Sequence, residues 1–291
     1  MAEPLPLTRA PGRPLALRLP RPGLITATGI ALLATLVLGA ALAPLIAPFD
    51  PAIPTGAPFE RPSGTHLLGT NDIGQDILSE IIWGTRVSLT IGVLAAFVAT
   101  ILGATVGIVS GYFRGVTDTV LMRLVDVILS LPFLPLMILL AAFLGPSMFT
   151  IILVVGLVVW ARPSRIIRSQ VLSLAGREYI TAARGIGAGH VRILFRHLVP
   201  GVAALMVVEF VQAAAGAILI ESSLSFLGLG DPIQKSWGSI LYYAQARSAF
   251  LSGAWVWWVI PPGIAITATV MGFALLAFSL ERIVNPRLRR R

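Results

Sequence analysis

Long apolar segments separated by short polar ones dominate this chain of 291 residues. A membrane-spanning helix needs about 20 mostly apolar residues. Five segments reach this length, and a shorter sixth continues as a helix with one polar face. We therefore predict six transmembrane helices, in segments 24–47, 87–112, between Arg123 and Gly145, 149–160 with its continuation, 201–220 and 259–280. The fold class expected is an all-α integral membrane protein.

The spacing of these segments divides the chain into five parts. We expect a cytoplasmic N-terminal tail (1–23), a first anchor helix (24–48), an extracytoplasmic loop (49–86), a five-helix core (87–283) and a basic cytoplasmic tail (284–291). The core contains an inner loop at 178–200 and an outer loop at 221–254. Residues 41–43 resemble a signal-peptidase site, but the apolar run before them exceeds the roughly 7–15 residues of a signal peptide, which favours an uncleaved anchor.

Composition excludes a soluble domain of ordinary type, because 56% of the residues are hydrophobic, 12% are charged and the mean hydropathy is +0.87. The net charge is +9, but the basic residues lie at the ends of apolar segments, so no nucleic-acid partner is expected.

Eighteen of the 22 Lys and Arg residues lie in the N-terminal tail, the turn before the third span, segment 162–196 and the C-terminal tail. By the positive-inside rule these parts, and both termini, are cytoplasmic.

Three features in or beside the apolar segments predict how the helices pack and where the membrane interface lies. Gly103, Gly107 and Gly111 recur every four residues and line one face, on which a second helix can approach closely. Pro132 and Pro135 predict a kink in the third span. A tryptophan cluster is typical of an aromatic belt at the outer membrane interface: Trp255, Trp257 and Trp258.

The charged segment 178–200 lies between two apolar runs and has helical spacing in two short halves, joined at Gly185, Gly187 and Gly189. Each half has an apolar stripe opposite a face with arginines; the stripes are Tyr179, Ala182, Ala183 and Ile186, then Val191, Leu194, Phe195 and Leu198. The segment is too short and too polar to span a bilayer. It is therefore expected to project an apolar surface flanked by arginines, which suits a groove on a soluble partner.

This segment resembles the EAA loop of bacterial ABC importer permeases. Ala182, Ala183, Gly187 and Pro200 match the pattern, while Thr181 stands at the position of its glutamate. Two further departures follow the glycine: His197 and Val199.

Two other stretches resemble the dipeptide, oligopeptide and nickel branch of that family. In HLLGTNDIGQDILSEIIWGTRVSL, Asn71 and Gln75 replace a common Asp and Arg. In ESSLSFLGLGDPIQKSWG, Ser222 replaces a common Ala.

The resemblance implies a type I ABC importer permease fold in the bacterial cytoplasmic (inner) membrane, with this loop as the cytoplasmic coupling loop. It implies three kinds of protein partner besides membrane lipid: a homologous second permease, two cytoplasmic ATP-binding subunits and an extracytoplasmic solute-binding protein. The solute expected is a short peptide, with nickel or another small solute as the alternative. The residues implied in ATPase coupling are Glu178, Thr181, Ala182, Ala183, Gly187, Arg192 and Pro200.

Enzymatic chemistry is not expected in this chain. A P-loop requires Gly-Lys-Ser/Thr, and the only lysine, Lys235, lacks the glycines, so ATP hydrolysis is assigned to separate subunits. The chain has no cysteine, and His66, His190 and His197 do not have the spacing of a metal site, so no metal or cofactor is expected. A membrane enzyme is disfavoured because no set of nucleophile, base and orienting group is recognisable.

Ionisable groups inside spans are candidates for the solute pathway. The candidates are Asp126, Glu209 and Gln212. Asp126 can also form a structural ion pair with Arg123 at i, i+3, whereas Glu209 has no basic residue within a turn on its own helix. The rival class is a transporter driven by an ion gradient, with the two carboxylates as relay groups. Soft ligands for nickel are lacking in these spans, which favours peptides.

Overall fold

The structure is a computed structural model that describes residues 23–284, and in this range the chain forms helices with one isolated bridge between Thr70 and Asp76. The helices are α1 (Leu24–Ala41), α2 (Ala43–Ile46), α3 (Ile77–Phe113), α4 (Gly115–Ser130), α5 (Phe133–Leu144), α6 (Met148–Val159), α7 (Ala161–Ala175), α8 (Glu178–Gly185), α9 (His190–Ile193), α10 (Val199–Leu224), α11 (Trp237–Ala246), α12 (Ala249–Ser252), α13 (Trp255–Trp258) and α14 (Ile260–Val284). The expectations for the tails at 1–22 and 285–291 lie outside the described residues.

Four helical segments are long and apolar enough to cross a membrane: Leu24–Ala41, Ile77–Phe113, His190–Leu229 and Trp255–Arg282. Two helix pairs pass the same test together although they are bent, α4 with α5 by 89° and α6 with α7 by 43°. When each bent pair is counted as one broken span, the total is six. The prediction of an all-helical protein with six spans is confirmed.

The third span is broken at its first proline. Pro132 has no N–H and forces the residue before it out of the helical region, and Leu131 is indeed extended with φ −76° and ψ 141°. α4 therefore ends at Ser130, and α5 begins at Phe133 in a new direction. The predicted kink is thus a complete break.

Two helices extend beyond the predicted spans. α3 begins at Ile77 rather than Val87, with Asp76 as its N-cap accepting a 2.8 Å hydrogen bond from the Ser79 backbone N–H. Polar residues such as Glu80 hid this start, because they are buried against other protein groups and do not face water. α10 likewise continues to Leu224, four residues past the predicted end.

The second half of segment 178–200 is also not a separate helix. α9 continues through a π-helical turn, Leu194–Leu198, directly into α10. Any displacement of this half therefore acts on the fifth span without an intervening loop.

α3 lies at the centre of the bundle, and its glycine face packs against α7. A Cβ added at Gly107 would lie 2.6 Å from the carbonyl oxygen of Ser164, and one added at Gly103 would lie 2.8 Å from that of Trp160. Only glycine permits such an approach of two helix backbones. The predicted close-packing face is confirmed, and its partner is α7.

The aromatic-belt interpretation is wrong for Trp258. This side chain is 1% exposed and packs with Ile77 and Trp237 in an apolar cluster beside the outer loop. Its ring meets that of Phe59 edge to face, with 6.0 Å between the centroids. Trp255, by contrast, is exposed.

We predict that Gly107→Ala destabilises the protein by about 1–3 kcal/mol, because the methyl group would collide with the backbone of α7. Gly216→Ala in α10 is the matched control, since no neighbouring side chain or helix lies within 4 Å of the position that its Cβ would take, and alanine favours a helix. The measurement is the thermal unfolding midpoint of each full-length variant in detergent. Equal midpoints for the two variants would show that α3 and α7 do not pack through glycine.

Candidate functional site

The segment 178–200 turns at Gly187. This residue alone of the three glycines has a positive φ, +83°, which side chains with a Cβ rarely adopt. The Gly187 N–H donates to the Arg184 carbonyl at 2.9 Å, and the Ala188 N–H donates to the Ala183 carbonyl at 3.0 Å. These two bonds close the end of α8 and direct the chain into α9.

One side of this segment is anchored in the bundle. Ile180, Ile193 and Leu198 are fully buried and pack with Ile167 and Val171 of α7. Of these three, the sequence pattern assigned only Leu198 to an apolar stripe. The exposed apolar side chains of the segment are called the exposed patch below; they are Tyr179, Ile186, Val191 and Phe195.

The exposed patch is free of contacts that would bury it, and Ile186 is 88% exposed. Most of the residues implied in ATPase coupling are exposed on the same segment, while Ala183 is half-buried; the exposed ones are Glu178, Thr181, Ala182, Gly187, Arg192 and Pro200. Exposed apolar groups beside arginines are the arrangement expected of a docking surface.

A contact that the sequence did not reveal joins this segment to α3. The hydroxyl of Tyr112, a buried residue near the end of α3, lies 2.8 Å from Nδ1 of His190. The Arg184 guanidinium lies 5.1 Å from the centre of the same ring, in cation–π geometry. Both halves of the segment thus contact one residue of the central helix.

Asp118 joins three helices. It accepts hydrogen bonds from Arg168 of α7, Nε to Oδ1 at 2.6 Å and Nη2 to Oδ2 at 2.5 Å, and a third from Ser110 of α3 at 2.5 Å. A bidentate arginine pair is among the stronger polar contacts in proteins. It holds the first half of the broken span, α4, against α3 and α7.

Asp126 has a different main partner from the one predicted. Arg165 of α7 forms the close ion pair, whereas Arg123, the predicted partner at i, i+3, is 3.9 Å away. The side chains of Asp126 and Arg165 are about half exposed. The sequence could not indicate Arg165, because it lies 39 residues along the chain.

Glu209 and Gln212 lie on α10, whereas Asp126 lies on α4. Gln212 donates a 2.5 Å hydrogen bond to Oε1 of Glu281 on α14. Glu209 is 5% exposed, and Arg162 and Glu281 are its charged neighbours. The structure therefore gives the three pathway candidates two separate sets of partners.

The sequence indicated only Asp126 and Glu209 as carboxylates inside spans, but Glu209 is not the only carboxylate that the bundle buries. Glu221 is fully buried because α10 extends past it. Its carboxylate accepts hydrogen bonds from Ser225 at 2.8 Å, Ser222 at 3.3 Å and Ser88 of α3 at 3.4 Å. Ser88 in turn accepts the Trp237 N–H at 3.1 Å. Hydroxyl groups, not a cation, satisfy this acid.

The only lysine of the chain joins the loop before α11 to the start of α3. Lys235 Nζ donates to Glu80 at 2.5 Å and to the Gln75 side-chain oxygen at 2.6 Å. Asn71 donates to Glu80 at 2.9 Å.

Asn71 and Gln75 are two of the positions that depart from the family pattern. An arginine at 75 would bring a second cation close to Lys235, whereas the glutamine oxygen accepts its hydrogen bond.

Asp231 connects the same loop to the start of α6. It accepts backbone N–H bonds from Ile233 at 2.8 Å, and from Met148 and Gln234 at 3.0 Å each. Burial acts to raise the pKa of Asp231, but the three N–H groups outweigh it and hold the pKa below the usual value. Its contribution to stability is therefore present above its unfolded-state pKa and lost as the pH falls through the lower folded-state pKa.

Within residues 23–284, no group of three or more His, Asp or Glu side chains could hold a metal ion. The architecture instead defines a multi-pass membrane protein, with broken spans, polar contacts inside the bundle and an exposed apolar patch beside arginines.

Residues 103–290 match the model of the binding-protein-dependent transport system inner membrane component, and the chain belongs to this family of transport permeases. A Brucella suis protein named as a putative peptide transport system permease is 38% identical over 263 residues, 90% of this chain and 87% of that protein. The dipeptide transport system permease protein DppC of Haemophilus influenzae is 34% identical over 297 residues, 98% of each chain. The glutathione transport system permease protein GsiD of Pectobacterium atrosepticum is 37% identical over 231 residues, 79% of this chain and 75% of that protein.

We predict that Lys235→Met destabilises the protein by about 2–3 kcal/mol, because it leaves the buried carboxylate of Glu80 without its cation. The double variant Glu80→Gln/Lys235→Met should recover most of this loss. Arg247→Met is the control, since its pair with Asp72 is 3.4 Å long and the Arg247 side chain is exposed, and such pairs contribute at most about 1 kcal/mol. The thermal unfolding midpoint in detergent measures all three. A loss for Lys235→Met no larger than for Arg247→Met would contradict the network.

Proposed function

We propose that this protein is a membrane-spanning subunit of an ATP-driven importer that carries short peptides across the bacterial inner membrane. It forms the pathway with a second, homologous permease. Two cytoplasmic ATPase subunits supply energy, and an extracytoplasmic binding protein delivers the solute. The observation that carries the proposal is the exposed patch, which is apolar and lies on a segment whose other side packs against α3 and α7.

The geometry of segment 178–200 supports its role as the ATPase-coupling element. A docked partner would bury Ile186 and Phe195, which are 88% and 69% exposed, while Arg184 and Arg192 lie on the same segment for charged contacts. Closure of two ATPase subunits would displace the segment. Because α9 continues into α10, and His190 bonds to Tyr112, that displacement would reach two spans directly.

Peptide as the solute is supported by the relatives, whose names specify peptide, dipeptide and glutathione transport. A carrier of varied peptides needs a pathway that binds them weakly, since tight binding would stop transport. The exposed surfaces of α4 and α5 fit this need, because they are mostly apolar and Asp126 is already paired with Arg165. We keep Asp126, Glu209 and Gln212 as pathway candidates.

The distribution of basic residues supports an orientation with both termini and segment 178–200 in the cytoplasm, and with segments 49–86 and 221–254 outside. On this basis the parts at 1–23 and 284–291 are cytoplasmic tails, 24–48 is the anchor and 87–283 is the core. A reporter that is active only outside the cytoplasm should work when fused near Glu60 and fail near Gly187. The opposite pattern would reverse the orientation.

We predict that deletion of the gene abolishes uptake of a labelled dipeptide and that the intact chain restores it. Nickel uptake, measured in the same strains with a radioactive tracer, should not change. The reason is that the candidate pathway groups of this chain are oxygen ligands paired with protein groups, which suit nickel poorly. Lost nickel uptake beside normal peptide uptake would refute the peptide assignment and leave the permease assignment in place.

We predict that Gly187→Val uncouples ATP hydrolysis from transport. A β-branched residue at φ +83° costs about 1–3 kcal/mol and would displace α9 relative to α8. Gly185→Val is the control, because Gly185 has an ordinary helical φ and neither glycine has an atom within 4 Å of an added Cβ. The measurement is the number of ATP molecules hydrolysed per peptide in proteoliposomes that contain the partner subunits.

Co-purification of the ATPase subunits with each variant serves as a second readout. It should fall for Gly187→Val and not for Gly185→Val. If both variants bind the ATPase and transport with an unchanged ratio, segment 178–200 is not the coupling element.

A further inference from the structure

A groove of about 360 Å³ lies on the outside of the bundle between α1 and α3. The last turns of α1 form one wall and the outer part of α3 forms the other. Its lining residues are Val37, Ala40, Ala41, Arg86, Leu89, Thr90, Val93 and Leu94. All but two of these side chains are apolar.

The two polar lining residues are not equivalent. The Thr90 hydroxyl donates to the carbonyl of Arg86 at 2.6 Å, so its proton is used within the helix. The Arg86 guanidinium lies 5.1 Å from the centre of the Trp83 ring. Among the described residues, no carboxylate lies within 4.0 Å of it, whereas Lys235 and Arg247 of the same outer region pair with Glu80 and Asp72.

The position of the groove matches one leaflet of a membrane. α1 ends at Ala41 and α3 begins at Ile77, so the groove lies where both helices approach the loop between them. Arg86 is at the end nearer this loop, and Leu94 is eight residues further along α3, about 12 Å at ~1.5 Å per residue. Half of a hydrocarbon core is about 15 Å thick. An arginine beside a tryptophan is typical of the membrane–water interface.

We propose that this groove binds a membrane phospholipid, with one acyl chain along the apolar walls and the phosphate on Arg86. An apolar groove whose aqueous end carries a cation that no described carboxylate neutralises is complementary to an acyl chain with an anionic phosphate. A peptide would leave its backbone groups without partners on these walls. The leaflet is the outer one if the proposed orientation is correct, but the binding itself depends neither on the orientation nor on the transported solute.

The test uses the full-length chain, co-expressed with its partner subunits, purified in a mild detergent and examined by native mass spectrometry. The probes are phosphatidylglycerol and a diacylglycerol with the same acyl chains but no phosphate. We expect Arg86→Ala to retain phosphatidylglycerol about five-fold less than the unaltered chain, since one interfacial arginine contributes about 1 kcal/mol. Arg61→Ala is the matched control, because Arg61 is an exposed arginine of the outer loop that does not line the groove.

A second variant tests the apolar part of the site. Val93→Trp should fill the groove and reduce retention of the phospholipid, because Val93 lines the groove and is 37% exposed, so that the larger ring can extend outward without disturbing the core. In the unaltered chain, diacylglycerol should bind about as weakly as phosphatidylglycerol binds to Arg86→Ala.

Three outcomes would overturn the proposal. One is equal retention of phosphatidylglycerol by the Arg86→Ala and Arg61→Ala variants. Another is equal binding of diacylglycerol and phosphatidylglycerol to the unaltered chain. The third is release of the partner permease by Val93→Trp with unchanged lipid content, which would make the groove a protein interface. None of these readouts depends on uptake, so failure here is distinguishable from failure of the proposed transport function.

Discussion

The contact on which the rest of this structure depends is the backbone approach of α3 to α7. An apolar helix gains nothing from leaving lipid unless it packs closely against its neighbour, and Gly103 and Gly107 make that possible. Because α7 is fixed in this way, Arg168 can reach Asp118 and hold α4. The packing of α4 and α7 in the bundle thus depends on the glycine face of α3.

The length of α3 connects the two ends of the molecule. Its 37 residues extend about 55 Å at ~1.5 Å per residue, well beyond a hydrocarbon core of about 30 Å. At one end Tyr112 contacts both halves of segment 178–200, and at the other Glu80 is bonded to Lys235. The helix that carries the central packing face therefore also bears the contacts of segment 178–200 and of the loop before α11. This arrangement is suited to moving them together.

The sequence predicted features that depend on neighbours along the chain. The apolar runs indicated six spans, the four-residue spacing of glycines indicated a packing face, and Pro132 and Gly187 indicated a kink and a turn, since each of these effects is local. The predictions that failed depended on distant partners. The start of α3 was missed because Glu80 is a charged residue whose burial is made possible by Lys235, 155 positions away.

The same distinction applies to the candidate site. The resemblance indicated segment 178–200 and its glycine turn, but it did not indicate which side of the segment faces the bundle. Ile180 and Ile193 are buried because they pack against α7, and the sequence of the segment does not show where α7 lies. Asp126 was expected beside Arg123, yet Arg165 is the closer partner. Helical spacing identifies neighbours on one helix, whereas the ion pair that forms is decided by how two helices cross.

The break between α4 and α5 restricts what can cover this part of the bundle. A bend of 89° interrupts the helical hydrogen bonds around Leu131, and hydrocarbon offers no partner for the backbone groups that are released. Non-helical backbone at this depth is stable only where protein or water covers it. The half-exposed pair of Asp126 and Arg165, on the helix that leads to the break, has the same requirement. The break and the ion pair beside it are therefore the parts of this face that protein or water must cover, although the exposed side chains around them are mostly apolar.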